Sequence, residues 1–319
     1  MKIKILVFTC MVIPLLLSCD EDDEKNPHRI KQIIYDDSDG NDYDYKWVFY
    51  YNNNEQLIQM IHHEKDDYGS WEEDRIVEFE YGSSVTTATR SDLVLYGDPK
   101  MLSRSEYIIQ NNLIMEELYL DYDEDQWDVS WKWAYQYSGA DLIGWRSYND
   151  VDGVLKQDGR AEYSYRDGKL TEYLYEYLNN SNNWVPIDRE TFSYSGDHLS
   201  GWIDFNYDDT GKWIEYYKSE YSYADGRVFK IEYYDIDTLT NAWKSEPYNR
   251  VTYDYDSNGC LAGWLDDDGD KTTYEYEEGH GNAKLFYYYP ESLVYERPTL
   301  KSAMAKGEYV PYYKKIISH

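Results

Sequence analysis

A single phrase, said many times, limits this chain more than any other feature. Residues 163–170 read YSYRDGKL: alternating tyrosines, a glycine turn, then an apolar residue that restarts the chain. FSYSGDHL (192–199), YSYADGRV (221–228) and YDYDSNGCL (253–261) repeat it. The restart residue serves as a ruler, falling at Leu57, Val85, Leu113, Leu142, Leu170, Leu199, Val228 and Leu261, with a weaker mark at Leu285. The intervals are 28, 28, 29, 28, 29, 29, 33 and 24 residues. A period of this size belongs to repeat architectures, whose units bury their faces only against neighbours.

Each unit divides in two. After the restart come strand-like residues such as LTEYLYEYL, then a turn rich in Asn, Asp and Gly, as in NNSNN (179–183) and DDTGK (208–212). Such residues tolerate left-handed backbone or cap their own turns, so the chain reverses there. The return strand often opens with tryptophan, at Trp71, Trp127, Trp184, Trp213 and Trp243, and closes on the Tyr-x-Tyr phrase. Each unit is therefore expected to be a β-hairpin. No window carries helical periodicity. Sixteen to eighteen strands about 4.8 Å apart give a sheet roughly 80 Å long. Open sheets seldom exceed about ten strands without curling. The expected fold is all-β: tandem 28–29-residue hairpins in an elongated, twisted antiparallel meander, with a closed barrel or propeller as the alternative.

Two columns follow from the ruler. Trp145, Trp202 and Trp264 stand three residues after the restart, with Tyr173 and Ile231 in matching places. Lys132, Arg160, Arg189, Lys218 and Arg250 stand three residues before the first aromatic of the closing phrase. Alternation puts Arg160, Glu162 and Ser164 on one face and Ala161, Tyr163 and Tyr165 on the other. The cations are expected to neutralise neighbouring carboxylates. Trp145, Trp202, Trp264 and Tyr173 are the candidate ligand-facing aromatics.

Composition enters at two points. With 39 Tyr and 11 Trp the chain is built to fold, because disordered acidic chains are poor in aromatics. A net charge of −31 repels phosphate backbones and anionic surfaces, which sets nucleic acid aside as a partner.

The first residues, MKIKILVFTCMVIPLLLSCDEDDEK, give a basic start and an apolar stretch from Ile5 to Leu17, too short to span a bilayer. Leu16-Leu17-Ser18-Cys19 resembles the bacterial lipobox, which implies that Cys19 becomes the lipidated first residue of the mature chain. The acidic run from Asp20 to Glu24 resembles the signal that sends lipoproteins of Bacteroidota to the cell surface. The expected division is a signal peptide (1–18), lipidated cysteine and acidic tether (19–34), hairpin repeat (35–286) and C-terminal segment (287–319) capping the last sheet edge. No transmembrane helix is expected in the mature chain. With Cys10 removed and Cys19 acylated, Cys260 is expected to be a lone, buried small residue.

Tyr255-Asp256-Ser257-Asn258-Gly259-Cys260-Leu261 resembles the YD repeat of the RHS family. Most other copies lack the Asp and the period is longer, so the resemblance implies only β-repeat architecture and an exported context. In overall style the chain resembles Tyr-rich repeat surface lipoproteins of Bacteroidota, a likeness that implies no activity.

Signals for chemistry are few. His62 and His63 are adjacent, and adjacent strand residues face opposite ways, so this pair does not chelate one metal. The turn Asp266–Asp270 offers Asp266, Asp268 and Asp270 as a candidate Ca²⁺ site, though counting back from Gly269 puts Trp264 where an EF-hand needs its first ligand. No other cofactor is expected. The functional expectation is a surface-exposed outer-membrane lipoprotein acting as a non-catalytic binding module for glycan or protein ligands. The alternatives are a periplasm-facing location, a structural spacer with no small ligand, and a glycan-active hydrolase.

Overall fold

In the computed structural model, the structure describes residues 28–278, apart from short stretches at 37–43, 67, 83–86, 95–99, 111–112, 124–125, 140, 209, 238–239, 241 and 258. The lipidation candidate Cys19 and the segment 287–319 lie outside the described residues.

The described chain contains strands and turns without a helix. In order the strands are β1 (His28–Asp36), β2 (Tyr45–Tyr51), β3 (Leu57–Lys65), β4 (Trp71–Tyr81), β5 (Thr87–Val94) and β6 (Lys100–Gln110). Next come β7 (Leu113–Asp123), β8 (Gln126–Ser138), β9 (Asp141–Val151), β10 (Val154–Arg166), β11 (Lys169–Leu178), β12 (Trp184–Ser195) and β13 (His198–Tyr207). The last are β14 (Trp213–Ala224), β15 (Arg227–Asp237), the two-residue β16 (Ala242–Trp243), β17 (Asn249–Tyr255), β18 (Leu261–Asp266) and β19 (Lys271–Glu278). Successive strands pair antiparallel, so the tandem-hairpin meander is present. The long 33-residue interval has a cause: β16 pairs only with β15, and β17 takes the next place in the main sheet.

β1 pairs with β2 on one side and with β19 on the other, from His28 opposite Glu278 to Asp36 opposite Lys271. The edge of β19 that residues 287–319 were expected to cap is therefore occupied by β1. This strand also starts inside the stretch read as tether. A bulge between Ile30 and Gln32 breaks the alternation, so buried Ile30 and Ile33 are three apart and give no strand pattern in the sequence.

One face holds the core. Its first layer is the restart row: Leu57, Leu142, Leu170, Leu199, Val228 and Leu261 are all buried. In one unit the buried residue is Ile114 rather than Leu113, a shift of one from the ruler. Tyr135, Tyr163, Phe192 and Tyr253 from the closing phrases pack onto the same layer. The second tyrosine of the phrase acts as a clasp. Its hydroxyl donates to the restart carbonyl on the neighbouring strand in Tyr51→Ile30, Tyr81→Leu57, Tyr137→Ile114, Tyr165→Leu142, Tyr194→Leu170, Tyr223→Leu199 and Tyr255→Val228, at 2.7–3.0 Å. A half-buried hydroxyl thus finds a partner and ties the open end of these seven hairpins. Ile30 is the restart of a unit that the ruler missed.

The turns use two designs. In YSYRDGKL, Asp167 (φ 54°) and Gly168 (φ 71°) are both left-handed, the backbone of a tight two-residue hairpin turn. The other design is a five-residue turn opened by Asn or Asp. Its side-chain oxygen accepts backbone amides two and four residues on, as Asn52 does from Asn54 and Gln56 and Asp208 from Thr210 and Lys212. The YD-like phrase is this turn: Asp256 accepts from the amide of Cys260, Gly259 is left-handed (φ 77°), and Leu261 is buried. Cys260 is buried as expected, but it is disulfide-bonded rather than lone. That bond belongs to the unprocessed chain, which holds three cysteines; removal of Cys10 and acylation of Cys19 would leave Cys260 single.

Candidate functional site

The candidate ligand-facing aromatics belong to the core. Trp145 is 4% exposed and Tyr173 8%, while Trp202 and Trp264 are half-buried against the same cluster. Trp145 lies 4.5 Å from Trp133 and 5.3 Å from Tyr175, and Tyr173 lies 5.0 Å from Tyr163, as rungs of an internal ladder. The cause is a bulge just after each restart. Tyr137 faces Leu142 and Gln136 faces Gly144, so Ile143 is the extra residue and the alternation resets. Residues three apart then share the core face. The adjacent glycine has its own reason: a Cβ on Gly201 would meet the Ser219 carbonyl oxygen at 2.6 Å.

The five expected cations are paired with acids. Arg160 meets Glu176 at 2.7 Å, Arg189 meets Glu172 at 2.6 Å, Lys132 meets Glu116 at 2.8 Å and Lys218 meets Glu220 at 2.7 Å. Arg250 reaches Glu232, Glu246 and Asp267. Glu232 is held below the usual carboxylate range, first by its bond to Lys230 and then by Arg250. These rows lie mid-strand on the face away from the core. A lipid-facing band would have to bury them at a cost of several kcal/mol, about 2–4 per cation at the bilayer midplane.

The cations also cover aromatic rings. Arg160 lies 4.4 Å above Trp184, Lys46 5.0 Å from Trp71, Lys218 5.5 Å from Trp243 and 4.3 Å from Tyr234, and Arg189 5.3 Å from Phe205. Trp71, Trp127, Trp184, Trp213 and Trp243 are all half-buried. Trp127 packs on Tyr122 at 5.1 Å and Trp213 on Tyr207 at 5.0 Å. The strand-opening tryptophans are therefore a second, half-buried aromatic column beside the cation rows, whereas Trp145 and Tyr173 are buried in the core. Nearby, a groove of about 330 Å³ is lined by Ser193, Gly201, Trp202, Lys218, Tyr221 and Glu232.

Beyond the aromatic layer the core face turns polar. In β12 the alternation Phe192, Glu190, Asp188 carries acids inward, and Glu190 is 1% exposed. Glu190 stands opposite Asp204 of β13. Asp188 and Asp204 lie carboxyl to carboxyl, each with a buried Oδ1 that no donor approaches. A shared proton is the donor this geometry needs. Burial first, then the bond to Asp188 and its charge, push Asp204 up to about 8, and burial raises Asp188 as well. No spacing marks this pair, because 62 acids make every pair a candidate.

In the acidic turn proposed for calcium, Asp266 Oδ1 accepts the amides of Asp268 and Asp270, at 3.0 and 2.9 Å. Asp270 Oδ2 accepts the Tyr35 hydroxyl at 2.9 Å. Asn52 and Asn179 do the same capping with neutral side chains, so the turn accounts for Asp266 without an ion.

No family model matches this chain, and no curated protein matches its sequence. Solved structures similar in fold include several Bacteroides proteins. A protein of unknown function from Bacteroides fragilis is 17% identical and covers 36% of this chain and 86% of its own (TM-score 0.32). A porin-like protein from Bacteroides uniformis is 11% identical, covering 78% and 96% (TM-score 0.44). TcdB2-TccC3 is 10% identical, covering 76% of this chain and 15% of its own (TM-score 0.29). Among the described residues no helix is long and apolar enough to cross a membrane.

Proposed function

We propose that this protein is a non-catalytic interaction module, held by lipid on Cys19 at the surface of the outer membrane, that binds an extended glycan or protein segment. The observation that carries this reading is the outer row of tryptophans: Trp71, Trp127, Trp184, Trp213 and Trp243 are half-buried rather than enclosed, and Trp71, Trp184 and Trp243 lie beside cations. An indole face stacks on a sugar ring or an apolar side chain, while the flanking ions and amides offer hydrogen bonds. A repeated strip suits a repeating or extended ligand better than a compact one.

The test is a glycan array together with a protein pull-down, using residues 25–319. Saturable binding in either is expected. Protease treatment of intact cells tests the location, and protection of the protein would contradict surface display. The spacer reading draws on the burial of Trp145 and Tyr173, whose column was the first candidate for a ligand. A blank result in both screens would leave that reading in place.

A further inference from the structure

We propose that His62, Glu64 and Asp74 form a binding site for one divalent transition-metal ion of the zinc class. His62 and Glu64 are two apart on β3 and so share a face. Asp74 comes from β4 through a bulge: His62 faces Arg75 and His63 faces Glu73, which leaves Asp74 unpaired in the ladder and free to turn toward His62. The ligand atoms of the three side chains all lie within 4.8 Å of one another, and His62 Nδ1 is 2.5 Å from Asp74 Oδ1.

The surroundings suit an ion. Asp74 is 6% exposed, and the His62 ring is held by Trp47 at 4.6 Å and Tyr45 at 5.3 Å, so two of the ligands are fixed in place. Glu64 is exposed and gives the ion a way in. One imidazole and two carboxylates are ligands that zinc uses, whereas calcium and magnesium take oxygen-only sets. Tetrahedral zinc, with bonds of about 2.0–2.2 Å, sets its ligand atoms about 3.3 Å apart. The ion would take the place of the proton between His62 and Asp74, widening that contact by about 0.8 Å, and leave one position for water or a ligand donor.

A second bulge shows what the same position looks like without this chemistry. In β10 the unpaired bulge residue is Asp158. There the Ser147 hydroxyl donates to it at 2.7 Å and Asn149 donates from its amide. Ser147 and Asn149 stand where His62 and Glu64 stand three repeats earlier, two and four residues after the core residues Trp145 and Met60. Neutral donors satisfy Asp158. Asp74 has instead an imidazole and a second carboxylate, a set with an excess of negative charge that a divalent cation balances.

The test is calorimetric titration of chelator-stripped, tag-free protein with Zn²⁺. One saturable site per chain is expected. Glu64→Gln should weaken it at least tenfold, His62→Ala should abolish it, and Asp158→Asn should leave it unchanged. Absence of saturable binding would overturn the proposal, as would Glu64→Gln binding like the parent, or Asp158→Asn losing as much as Glu64→Gln. Glu64 is exposed, so its variant decides the matter even if His62→Ala fails to fold.

Discussion

The two ends of the hairpins differ in how alike their copies are. At the restart end, seven units repeat one solution: a buried aliphatic residue, a bulge, and a tyrosine hydroxyl on the restart carbonyl. At the far end, matching positions carry Tyr175 and Tyr177 in one unit, with Asp188 opposite Tyr175, Ser147 and Asn149 in another, and His62 and Glu64 in a third. Outside them, the tryptophans differ in which cation, if any, lies over the ring. Construction is uniform where units must stack on one another. Chemistry varies where stacking no longer dictates the residue.

The largest effects should come from breaking the uniform end. Leu199→Ala removes a fully buried side chain from the restart row and should cost about 2–5 kcal/mol in chemical denaturation. A loss below about 1 kcal/mol would mean that the row is not the stabilising layer. A smaller loss should follow Tyr194→Phe, which deletes one clasp and leaves the Leu170 carbonyl without its 2.9 Å hydroxyl partner. About 1 kcal/mol is expected, measured by the shift in denaturation midpoint.

The smallest effect belongs to the variable end and shows as a slope. Asp204 is raised from 3.8 to about 8 by burial and by Asp188. A group raised on folding stabilises fully below its unfolded value, and that contribution fades as pH climbs through the folded value. Melting temperature should therefore fall between pH 4 and pH 8, beyond the general repulsion among acids. Asp204→Asn should flatten this fall. Equal slopes for parent and variant would contradict the shared proton.

Much of the fold was legible because period-2 alternation and turn residues act locally. Arg160 and Tyr163 fell on the faces that alternation assigned them, and the cation row found the carboxylates expected of it. What stayed hidden traces to bulges. Strict alternation puts Leu142 and Trp145 on opposite faces, yet the extra Ile143 returns Trp145 to the core, so a structural rung was read as ligand-facing. A bulge likewise concealed β1, and another brought Asp74 to His62, a meeting no spacing in the sequence announces. The outer tryptophans were visible as strand openers, but nothing local marked them as a column beside the cation rows.

The central claim is that ligand recognition sits on the outer tryptophan row rather than on the internal aromatic ladder. The direct measurement compares ligand binding by the parent with that of Trp184→Ala/Trp213→Ala, after melting curves show both folded. Loss of at least tenfold in affinity, with little change in melting temperature, is the expected result. Unchanged affinity in the double variant would contradict it.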